Sequence, residues 1–123
     1  MTNQGQVVAV GLALLLILVS GILMSRKGKP YSTALFTVHK LVGLATGVLL
    51  GVIVYQGAQA APLGLVEISA VVVTVLLFAG IVVSGGLLGA AKEVPAAALK
   101  LHQVLPIFAV MSTAGTLYLL LSA

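Results

Sequence analysis

From Val7 to Met24 the chain carries no charged side chain, and the stretches 32–56, 65–90 and 95–121 carry one each. A helix rises 1.5 Å per residue, so about 20 residues cross the hydrocarbon core of a bilayer. In lipid, a helix satisfies its own backbone hydrogen bonds and an irregular segment cannot. These four stretches therefore predict an all-α fold: a single integral membrane domain, residues 1–123, of four transmembrane helices in an up-down-up-down bundle. Composition supports the choice of solvent. The chain is 61% hydrophobic and 7% charged, where soluble domains run near a quarter charged. A chain of 123 residues cannot hide that much apolar surface in a water-soluble core.

The first apolar run is read as a mature span, because residues 1–6 lack Lys and Arg and the run exceeds a typical signal-peptide core. Arg26, Lys27, Gly28, Lys29 and Pro30 make the first turn, with Ser32 or Thr33 capping the next helix. Residues 57–64, with Pro62, form the second loop, and Glu67 suits the positive start of the third helix. Lys92, Glu93 and Val94 make the third turn, Pro95 suits the first turn of the fourth helix, and Pro106 should kink it. All six basic residues lie in or near the first and third turns. The positive-inside rule then predicts a multi-pass plasma (inner) membrane protein with these turns cytoplasmic and both termini outside. Their placement reports orientation, and no nucleic-acid partner is expected from the net charge of +4.

An offset of 63 lays His39 on His102, Tyr55 on Tyr118 and Ala34 on Ala97, and one more residue in the preceding helix lays Ser20-Gly21 on Ser84-Gly85. The chain reads as two duplicated helical hairpins, the alternative being a chance likeness between apolar helices.

His39 and His102 each fall about seven residues into their helices, roughly 10 Å deep at 1.5 Å per residue. An ionisable group inside a membrane helix is a functional hypothesis by default. With no cysteine and only Glu67 and Glu93 as acids, a structural zinc site lacks its four donors. Haem iron brings four porphyrin nitrogens and asks for one or two axial groups. Two histidines complete it and leave no open position, which favours electron transfer over oxygen chemistry. Without cysteine, covalent c-type attachment is excluded, so the expected cofactor is one bis-histidine haem b. His39, Gly43, Gly47, Gly51 and Tyr55 recur along one face. Gly43 is the candidate haem wall, and Gly21 and Gly85 are candidates to make room for the macrocycle edges. Ordinary close packing is the competing reading for all three. Lys40 and Lys100 are the nearest cations for the propionates. Ser20 and Ser84 are placed to bond either an imidazole or their own backbone.

On His39, His102, Gly21, Gly43 and Gly85 the chain resembles membrane-embedded b-type cytochromes, in which histidines on alternate helices of a four-helix bundle clamp haem. The larger cytochromes of quinol-oxidising complexes are similar but carry two histidines per ligand helix and two haems, whereas this chain has one pair. The resemblance implies a membrane electron carrier, with quinone or a partner subunit completing the route. The expected setting is the lipid bilayer, with a larger redox complex or further copies of the chain as candidate partners. The competing reading is a non-redox accessory or structural subunit of a larger membrane complex. A proton-coupled transporter is disfavoured by the lack of a membrane-central acid. No nucleotide motif or nucleophile constellation occurs, so an electron-transfer subunit is expected rather than an autonomous enzyme.

Overall fold

Four helices account for nearly the whole chain in the computed structural model, which describes residues 3–93 and 95–122: α1 (Asn3–Lys27), α2 (Thr33–Ala60), α3 (Leu65–Ala90) and α4 (Ala96–Leu121). All four are long and apolar enough to cross a membrane. The chain is thus a multi-pass membrane protein built of helices. It divides into two compact units, 1–60 and 61–123, in which α1 packs on α2 and α3 packs on α4.

Helix ends follow local chemistry. α1 starts four residues before the apolar run, because Gln6 is not left bare: its Nε2 donates to Gln56 Oε1 of α2 at 2.8 Å. α2 continues past Gln56 to Ala60, since alanine and glutamine favour helix, and it stops before Pro62, whose predecessor is pushed out of the helical region. α1 closes on Gly28 at φ 68°, its N–H donating to the Met24 carbonyl at 2.9 Å. That left-handed position suits glycine alone, because a Cβ there crowds the following carbonyl. Gly28→Ala should therefore destabilise the first hairpin by about 1 kcal/mol, read as an earlier loss of helicity on titration with a denaturing detergent.

Ser32 is the residue that caps α2, its Oγ accepting from the Leu35 N–H at 3.4 Å. Glu67 lies in the first turn of α3 as expected, and its carboxylate folds back over Gly64. Pro95 sits outside α4 as its N-cap in extended conformation, so the helix starts one residue later than predicted, and α4 runs unbroken past Pro106. Lys92 and Glu93 form the turn between α3 and α4, while Val94 lies outside the described residues.

Burial follows the same scheme in both hairpins. In α1 and α3 the buried positions Val10, Ser20 and Met24 correspond to Thr74, Ser84 and Leu88 at an offset of 64. In α2 and α4, Thr46, Leu50 and Ile53 correspond to Ala109, Thr113 and Thr116 at an offset of 63. The same faces are thus turned inward in each hairpin, as a duplicated unit requires. The one-residue difference falls where the first helix of each pair meets its turn: α1 closes through left-handed Gly28, whereas α3 ends on an extended Ala91. The remaining surface is apolar, with Leu44, Leu65 and Val82 67%, 81% and 70% exposed. In water such a surface would be untenable; against acyl chains it is the expected exterior.

Candidate functional site

Each hairpin holds one histidine against its partner helix in the same way. In the first, His39 on α2 is half-buried and its ring lies on α1 at Ser20-Gly21. Ser20 Oγ is 2.9 Å from His39 Nδ1 and donates to the Leu16 carbonyl at 2.7 Å. The Ile17 carbonyl, one turn before the serine, also hydrogen-bonds the ring. In the second hairpin, His102 on α4 meets Ser84-Gly85 of α3, with Nδ1 2.9 Å from Ser84 Oγ and 3.1 Å from the Ile81 carbonyl. Ser84 Oγ itself donates to the Ile81 carbonyl at 3.0 Å. Ile17, Ser20 and Gly21 map onto Ile81, Ser84 and Gly85 at the single offset of 64.

The glycines explain how an imidazole fits between two packed helices. A Cβ on Gly21 would lie 3.1 Å from His39 Cε1, and one on Gly85 only 2.9 Å from His102 Cε1. Bare backbone at these positions lets the ring edge lie flat on the neighbouring helix. Each histidine starts six residues into its helix, and each serine lies six or seven residues before the end of its own, so both seats sit at about one depth below their turns. At 1.5 Å per residue that depth is roughly 9 Å. The serines are tolerated in lipid because their hydroxyls bond helix carbonyls, and that bonding aims the oxygen at the imidazole.

The other candidate residues are placed as follows. Gly21 and Gly85 touch the imidazole rings themselves. Gly43 follows His39 by one turn, and among the described residues a Cβ added there would meet nothing within 4 Å, as at Gly47 and Gly51. The glycine stripe of α2 is therefore not what packs on α1; Thr46, Leu50 and Ile53 are the buried residues of that helix. Lys40 and Lys100 are exposed. Tyr55 and Tyr118 are 66% and 73% exposed, near the helix ends farthest from the basic turns.

Sequence reasoning missed two polar contacts at that far end. One is the Gln6–Gln56 pair. The other is in the second hairpin, where Thr74 Oγ1 lies 2.6 Å from Ser112 Oγ and 3.0 Å from Thr116 Oγ1. The spacing of Ser112 and Thr116, one turn apart in an apolar helix, was the signal available for it. Thr113 Oγ1, beside them in sequence, is buried without a hydrogen-bond partner among the described residues. The Ile17 and Ile81 carbonyls were also missed, since a main-chain acceptor leaves no mark in a sequence.

Among the described residues no group of three or more His, Cys, Asp or Glu comes together to hold a metal. The donors available are single imidazoles, one per hairpin, each oriented by hydrogen bonds on its Nδ1 side. Such a donor suits a centre that brings most of its own ligands. No protein-family model, curated protein or solved structure matches the chain.

Proposed function

We propose that this chain is a membrane electron carrier holding one haem b on His39 and His102, exchanging electrons with quinone or a partner subunit. The observation that supports this reading is the repeated seat: two equivalent hairpins, each presenting one intramembrane imidazole fixed through a serine hydroxyl beside a glycine. Ionisable side chains within membrane spans are rare and are kept for function. A duplicated one calls for a ligand that uses two. His39 and His102 would hold the haem, which when bound would supply one-electron chemistry between ferric and ferrous iron. The chain's own contribution is to hold the imidazoles, leave room beside them and offer Lys40 and Lys100 to the propionates.

The direct test is a reduced-minus-oxidised visible spectrum of the protein purified in lipid or mild detergent from a haem-sufficient host. A Soret band and a sharp alpha band are expected. A colourless protein would sink the reading and favour the non-redox accessory subunit. Gly43→Ala tests whether Gly43 lies against the haem. With nothing within 4 Å of the added methyl, the variant should keep or slightly gain helix stability, yet retain less haem if Gly43 walls the macrocycle. Haem retention equal to that of the parent would remove Gly43 from the site.

The proposed orientation, in a plasma (inner) membrane with basic turns cytoplasmic and both termini outside, rests on Arg26, Lys27, Lys29 and Lys92 at the turns. Because the chain has no cysteine, Lys92→Cys and Gln59→Cys give clean single probes. A membrane-impermeant thiol reagent added to intact cells should label the second and spare the first. The opposite pattern would invert the topology.

A further inference from the structure

We propose that Ser20 and Ser84, with the carbonyls of Ile17 and Ile81, are positioning groups that hold both imidazoles in the Nδ1–H tautomer, making Nε2 the coordinating nitrogen of each. The tautomer rests on hairpin geometry alone, and the coordinating role rests on the haem reading.

The count of protons fixes the tautomer. A carbonyl oxygen can only accept, and that of Ile81 is 3.1 Å from His102 Nδ1. Were Nδ1 to carry the lone pair, two acceptors would face one another in a low-dielectric setting, where an unmade hydrogen bond is expensive. Nδ1 therefore carries the proton. The Ser84 hydroxyl has a single proton, and the Ile81 carbonyl accepts it at 3.0 Å. Its oxygen is then an acceptor for Nδ1–H at 2.9 Å. Every proton in this triangle has an acceptor, and no two acceptors meet unbridged.

The first hairpin repeats the logic with a small change of partner. Ser20 gives its proton to the Leu16 carbonyl at 2.7 Å, so its oxygen accepts from His39 Nδ1 at 2.9 Å, and the Ile17 carbonyl accepts from the ring as well. A neutral imidazole with its proton on Nδ1 carries its lone pair on Nε2. Both hairpins thus prepare the same nitrogen. A hydrogen bond from the far N–H also makes the imidazole a stronger electron donor, and removing such an orienting partner typically lowers metal affinity by about 10–100-fold. Stronger donation stabilises ferric over ferrous iron, so the serines should hold the reduction potential down.

The experiment uses the full chain with 15N-labelled histidine in lipid, first without haem. Nitrogen NMR should show both wild-type imidazoles protonated at Nδ1. Ser20→Ala should perturb the His39 resonances and spare His102, Ser84→Ala the reverse, and Ser→Thr at either site should restore the pattern because it keeps the hydroxyl. In haem-loaded protein each alanine variant should retain haem about 10–100-fold less tightly and show a higher potential, with circular dichroism unchanged. Protonation at Nε2 in either wild-type histidine overturns the inference even if the protein binds haem. So do alanine variants whose retention and potential both match the parent. The expected tautomers in a protein that takes up no haem overturn the coordinating role together with the haem reading.

Discussion

Replacing both histidines, His39→Leu with His102→Leu, should on the proposed haem reading give a colourless protein that still inserts as four helices. Leucine is apolar, favours helix and has no nitrogen to offer iron, so the substitution removes the donors without adding a group that lipid would reject. On the proposed haem reading, each single variant should lose the low-spin spectrum, because one of the two nitrogens that would hold the iron is gone. The imidazoles are also part of the helix contacts, through Ser20 and Ser84. Hydrogen bonds between membrane helices contribute only about 0.6 kcal/mol on average, so helicity measured by circular dichroism should hardly change. Visible absorbance and helicity recorded on the same samples separate loss of ligand from loss of fold. A sharp alpha band surviving in the double variant would exclude both residues as ligands.

The second large effect is expected at Gly85. A methyl there would meet His102 Cε1 at 2.9 Å, closer than side chains pack, and the ring is tied to Ser84 and Ile81 of the same helix through the adjacent Nδ1. Gly85→Ala must therefore push the imidazole off its seat or spread α3 from α4, at a cost of about 1–3 kcal/mol for overpacking. The equivalent contact at Gly21 is 3.1 Å, so Gly21→Ala should act in the same direction and less strongly. Gly86, the next residue, has nothing within 4 Å of an added Cβ and serves as the control. Gly86→Ala should leave the second hairpin unharmed or slightly steadier, since alanine favours helix by up to about 1 kcal/mol over glycine. Detergent titrations followed by helicity would rank the three variants. Equal stability of the Gly85 and Gly86 variants would show that the His102 seat is not where the ring rests.

The Gly21 and Gly85 results would also show how the chain uses its glycines. As sequence, both are candidates for making room for a flat macrocycle. What lies against them in each hairpin is the imidazole edge, drawn there by the neighbouring serine. Gly43, Gly47 and Gly51 form the more regular pattern in the sequence, yet they lie off the contact with α1. Regular spacing identifies a shared face of a helix; it does not say which neighbour that face meets.

The sequence by itself determined the four spans and the pairing of landmarks, because both depend on what each segment is made of. Transfer to lipid is a sum over local side chains, so the α3 boundaries could be read to the residue, and Ser20-Gly21 with Ser84-Gly85 stood out as the same pair met twice. Tertiary structure alone decided which sides of the helices turn inward. An α-helix that is apolar all round has no polar face to mark its exterior, so nothing in the order of Leu, Val and Ile in α1 or α3 reveals that Val10 is buried and Leu12 exposed. That choice comes from where small residues let two backbones approach and where hydroxyls and carbonyls of one helix can meet the imidazole of the next. The acceptors at Ile17 and Ile81 belong to the main chain, and only the packing of α1 on α2 and of α3 on α4 brings them to His39 and His102.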